Sequence, residues 1–131
     1  MNKVPIICLC GSTKFKEEFL EVNKAFTLEG AIVLMPGVFG HSGDKITDEE
    51  KTKLDILHKY KIIMSDAIYV INKNNYIGQS TKKEIEFAKA LNKPIYYYNN
   101  CMELSERQEE DKYEDVSCWA NFYLRRFTKE Y

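Results

Sequence analysis

The chain has 131 residues, enough for one buried core and too few for two independent ones. Its 19 Lys and Arg nearly balance 20 Asp and Glu, for a formal net charge of −1. That balance argues against the broad basic field that duplex nucleic acid demands, while leaving room for a local phosphate site. The first apolar run is too short for a signal-peptide core or a membrane span, so a cytoplasmic protein without membrane insertion is expected.

Val4 to Cys10 is a compact apolar run stopped by Gly11, the pattern of a strand buried on both faces of a parallel sheet. Phe15, Phe19, Val22 and Phe26 then fall at helical spacing, with Ser12 or Thr13 to cap the start and Gly30 as a stop. Ala31 to Met35 reads as a second strand, and Pro36-Gly37 opens an irregular stretch to Lys45. Thr47 with Glu50 forms a capping-box pattern before Leu54 and Leu57, predicting a helix to about Met64. Ala67 to Ile71 is a third strand, followed by a polar loop from Asn72 to Gln79. A helix starting near Ser80 or Thr81 carries Ile85, Ala88 and Leu91 and stops at Asn92-Lys93-Pro94, before a fourth strand from Ile95 to Tyr98. The tail, 99–131, holds a charged stretch around Glu106 to Asp115. Trp119, Phe122, Tyr123 and Phe127 then suit a terminal amphipathic helix.

Strands alternating with helices require crossover connections, so the expected fold is α/β. It is an open parallel sheet with flanking helices, a Rossmann-like or flavodoxin-like three-layer sandwich, in one domain over 1–131. The four cysteines include Cys8 and Cys10 on one face of the first strand, with Cys101 and Cys118 far away. Without a second paired spacing they read as reduced core thiols rather than zinc ligands, and no metal is expected.

Ligands of open α/β sheets bind at the carboxyl ends of the strands, which directs attention to the loops at 11–14, 36–45 and 72–81. Gly11-Ser12-Thr13-Lys14 sets a close-approach glycine, two hydroxyls and a cation at a helix start, favourable for phosphate but equally readable as a turn with a cap. Thr81 and Glu84 fit a second capping box, a bland reading that competes with chemistry at Glu84. His41 lies between glycines in the longest loop and could face a ligand or solvent, and Phe39 and Tyr76 could stack on a base or pack as lids. Glu86 and Lys89 read as an exposed helical face.

Four motifs taken in order resemble the nucleoside 2-deoxyribosyltransferase-like superfamily over about residues 4–98. They are Cys8-Leu9-Cys10-Gly11-Ser12-Thr13-Lys14-Phe15, Gly37-Val38-Phe39-Gly40-His41, Leu57-His58-Lys59-Tyr60-Lys61-Ile62, and Tyr76-Ile77-Gly78-Gln79-Ser80-Thr81-Lys82-Lys83-Glu84 continuing to Ala88. The resemblance implies a flavodoxin-like protein that cleaves or transfers the N-glycosidic bond of a nucleoside or nucleoside 5′-monophosphate, without a metal or organic cofactor. By position it implies Glu84 as the nucleophile, ionised by the positive end of its helix, and Gly11, Ser12, Thr13, Gly78, Ser80 and Thr81 at the sugar or phosphate. His58 stands where the family commonly has a catalytic aspartate, and Gly78 where some transferases have another. His58 then takes over proton transfer or orientation, or the branch handles a different substrate, or it binds nucleotide as an inactive regulator or sensor. The resemblance also implies a homo-oligomer acting on a small molecule, with no nucleic-acid polymer as partner. A flavin-binding redox protein is a third, weaker reading, discriminated by colour.

Overall fold

A computed structural model describes residues 4–99 of the chain. The tail with its expected terminal helix, and with it Cys101 and Cys118, lies outside them. Four parallel strands, β1 (Ile6–Gly11), β2 (Ile32–Leu34), β3 (Ala67–Ile71) and β4 (Ile95–Tyr97), form one sheet in the order β2-β1-β3-β4. Three helices connect them: α1 (Lys16–Leu28), α2 (Asp48–Met64) and α3 (Gln79–Ala90). The expected α/β architecture, an open parallel sheet between helical layers, is what the chain adopts. No helix among the described residues is long and apolar enough to cross a membrane.

Alternation along the strands builds two cores. Ile7 and Leu9 of β1 and Tyr69 and Ile71 of β3 pack with Phe19, Val22 and Phe26 of α1, whereas Cys8, Cys10, Ile68 and Val70 point the other way, toward Ile62 of α2 and Ile85 and Ala88 of α3. Each fully buried large apolar side chain contributes about 1.5–3 kcal/mol, so Phe19, Phe26 and Tyr69 anchor the first core. The sidedness follows from crossover handedness. The step from β1 to β2 runs one way along the sheet and the steps to β3 and β4 run the other, so right-handed connections put α1 on one face and α2 and α3 together on the opposite one.

Several local expectations shift. β1 begins at Ile6 and takes in Gly11, paired with Ile71, and a 3-10 turn at Thr13–Phe15, capped by Ser12, precedes α1. The Thr47–Glu50 capping box forms with both of its hydrogen bonds. Leu57, expected inside, is 54% exposed, and α2 buries His58 and Ile62 instead. Leu91 falls at the C-cap of α3 and is 39% exposed, beyond the stripe formed by Ile85 and Ala88.

Candidate active site

The chain winds away from β1 toward β2 and away from β3 toward β4, so the loops leaving β1 and β3 diverge and open a crevice at their carboxyl ends. A cavity of about 390 Å³ fills it, within the size range of small-molecule sites. Gly11, Ser12 and Thr13 form one wall, and Gly78, Ser80, Thr81 and Glu84 another. His41 arrives from the loop after β2 and His58 from α2. Every expected site residue except Phe39 therefore lines this one cavity.

Gly11 is required by close approach: its φ is +150°, and a Cβ there would stand 2.8 Å from the Ile71 carbonyl oxygen. The loop after β2 is tied across the cavity mouth to the loop after β1. His41 N–H donates to Thr13 Oγ1 at 3.2 Å, and Ser42 Oγ donates to the Thr13 carbonyl at 2.7 Å. Phe39 turns inward, 6% exposed, edge to face with Phe19 at 5.7 Å between centroids. Its ring is core and not a platform for a base, because burying it stabilises the loop. Tyr76 does line the cavity, but Lys14 does not: its ammonium sits 3.3 Å from the Tyr76 ring centroid, a cation–π contact outside the cavity.

The cations at the cavity are Lys51 and Lys61, which with Leu54, Asp55 and His58 make one stripe along α2. The sequence alone did not single out Lys51, Asp55 and Lys61, although the steps of four, three and three residues from Lys51 through Asp55 and His58 to Lys61 mark a shared helical face. Lys61 Nζ donates to the Met35 carbonyl at 2.8 Å, and Lys51 pairs with Asp55 at 3.3 Å on the exposed rim.

Glu84 is not a helix cap. The N-cap of α3 is Gly78, with no side-chain cap, and Glu84 lies in the second turn on the same face as buried Thr81 and Ile85. Its Oε1 is buried without a hydrogen-bond partner among the described residues. His58 Nε2 faces that oxygen at 3.7 Å. Behind the imidazole, Cys10 Sγ lies 3.3 Å and Cys8 Sγ 3.8 Å from Nε2.

These neighbours set the protonation states. Burial pushes the Glu84 carboxyl up to about 7, against the pull of His58. The helix start is too distant to keep it ionised as expected, since the dipole acts within the first turn. Burial alone would lower His58, but the hydrogen bond and charge of Cys8, with Glu84, carry it above its ordinary value. The Cys10 thiol, hydrogen-bonded to Cys8, brings Cys8 down to about 6 despite burial, while desolvation and the Cys8 charge hold Cys10 well above the usual thiol range. A carboxyl lifted toward neutrality and an imidazole on the wall of one cavity, with a thiol of lowered pKa buried behind them, is the arrangement expected of a functional site. No known protein-family model matches the chain, and no curated protein matches its sequence.

Proposed function

We propose that this cavity binds a nucleoside or nucleoside 5′-monophosphate and that Glu84 cleaves its N-glycosidic bond, handing the sugar to water or to a second base. The observation that carries the reading is the Glu84 carboxyl on the wall of a cavity of about 390 Å³, with a buried Oε1 that accepts no hydrogen bond among the described residues. A buried polar oxygen without a partner costs about 1–3 kcal/mol, a penalty that chemistry at that atom would account for. In the step proposed, a Glu84 oxygen bonds to the anomeric carbon as the bond to the base nitrogen breaks. That nitrogen keeps the electron pair and takes up a proton from water. Attack by water or a second base on the same carbon then releases the carboxylate.

His58 acts here as a positioning residue. An acid that protonates the leaving group in a retaining mechanism stands about 5–5.5 Å from the nucleophile across the sugar, whereas His58 is 3.7 Å from Glu84. Its charge favours the ionised carboxylate. Ser12, Thr13, Ser80 and Thr81, near two helix starts, are the groups for a 5′-phosphate. The reading includes a homo-oligomer, because α2 exposes Ile56, Tyr60 and Ile63 at helical spacing; light scattering that finds only monomer at micromolar concentration would remove that part. Incubation with a panel of nucleosides and monophosphates, with and without a second base, tests the activity by chromatography. Free base or exchanged product is expected, and binding without either would leave a nucleotide sensor.

A further inference from the structure

We propose that Cys8, Cys10 and His58, completed by Glu84, form a binding site for a thiophilic divalent cation of the zinc class. Cys8 Sγ, Cys10 Sγ and His58 Nε2 all lie within 4.8 Å of one another, and all three residues are buried. The imidazole nitrogen is 3.8 Å from Cys8 Sγ, 3.3 Å from Cys10 Sγ and 3.7 Å from Glu84 Oε1. Tetrahedral zinc, with bonds of about 2.0–2.1 Å to nitrogen and oxygen and about 2.3 Å to sulfur, places its ligand atoms about 3.3–3.8 Å apart. The observed separations to Nε2 match that requirement.

Three elements hold this set in place. Strand alternation aims both thiols of β1 to one side, α2 lays His58 over them, and α3 brings from the cavity side a Glu84 oxygen that accepts no hydrogen bond among the described residues. Two sulfurs and an imidazole favour zinc, cobalt or cadmium over magnesium or calcium, which prefer all-oxygen ligands. His58 and Glu84 line the cavity, so a cation reaches the thiols from solvent past them. On binding, each thiol and any protonated Glu84 gives up its proton. The dication then answers the negative charge, and Glu84 Oε1 gains a ligand bond where it accepts no hydrogen bond among the described residues.

The binding itself does not depend on the glycosyl-transfer reading. One consequence does rest on it: a Glu84 carboxylate held by the cation cannot attack a sugar, so the loaded protein would be silent.

The test uses the full chain, reduced and stripped by chelator, then titrated with Co²⁺. The expected result is a near-ultraviolet thiolate-to-cobalt band with visible tetrahedral bands, saturating at one cation per chain and abolished by Zn²⁺. The band should persist when Cys101 and Cys118 are replaced by serine, and weaken at least about a hundredfold in apparent affinity in Cys8→Ser and Cys10→Ser. Should those buried substitutions prevent folding, Glu84→Gln serves instead, keeping the thiolate band while changing the visible bands and lowering affinity at least about tenfold. Absence of the band, its loss with Cys101 and Cys118 alone, or indifference to Glu84→Gln would overturn the site. Cobalt binding without base release by the stripped protein would sink the glycosyl reading and leave the site. Base release without cobalt binding would do the reverse.

Discussion

Glu84 of α3 and His58 of α2 face one another at 3.7 Å across the end of β1, one lifted toward neutrality by burial and the other carried above its ordinary value by its anionic neighbours. Their proximity makes the protonation of each depend on the other, and most of what can be measured at this site follows from it.

Replacing Glu84 with glutamine keeps the side-chain volume and removes the charge. Since Glu84 does not cap α3, the variant should fold, while base release falls at least about a thousandfold, roughly 4 kcal/mol in the barrier. Turnover within about tenfold of the parent would eliminate Glu84 as nucleophile.

The same substitution has a stability signature. The folded protein holds the Glu84 proton more tightly than the unfolded chain, about 7 against an ordinary 4.5. The stabilisation that this brings is complete below the unfolded value and is lost as pH rises through about 7. Glu84→Gln has no such loss, so its melting temperature should gain on the parent between about pH 5 and pH 8, with an upper bound of about 3 kcal/mol. Parallel melting curves at the two pH values would contradict a buried ionisable carboxyl.

Turnover by the metal-stripped protein should rise with pH through about 7 as Glu84 ionises. In His58→Gln the imidazolium no longer favours the carboxylate, so this acid limb should move to higher pH while the plateau rate recovers much of its value. A uniformly depressed rate with an unmoved limb would assign His58 to proton transfer instead.

If Ser12, Thr13, Ser80 and Thr81 hold a phosphate at the helix starts, calorimetry should show a 5′-monophosphate binding at least about tenfold more tightly than its nucleoside, equivalent to about 1.4 kcal/mol. Equal affinities would remove the phosphate from the substrate.

Gly11→Ala sets a Cβ 2.8 Å from the Ile71 oxygen at a φ of +150°. Strain of this kind costs about 1–3 kcal/mol, so urea unfolding should show a loss in that range, with activity falling further as the cavity floor shifts. A variant as stable as the parent would mean that β1 and β3 separate freely at this point.

The amino-acid sequence by itself determined the alternation of strands and helices, because hydrophobic period and glycine or proline stops are local properties. The Phe15, Phe19, Val22 and Phe26 stripe, the Thr47 capping box and the bounds of β3 were all legible in this way. So were the loops that form the cavity, since a parallel sheet offers ligands its carboxyl ends. Local pattern could not decide the role of Glu84, because a capping box and a cavity carboxylate share the same spacing from Thr81. Only the packing of α3 settled that Gly78 begins the helix and that the Glu84 carboxyl is buried. Phe39 turned inward for the same kind of reason, its ring being drawn to Phe19 from another element. Nothing in the spacing of Cys8 and Cys10 indicated His58 beside them, about fifty residues away along the chain. That meeting depends on crossover handedness, which puts α2 and α3 over one face of β1 and so brings an imidazole and a carboxylate to the wall of the crevice with two buried thiols beside the imidazole.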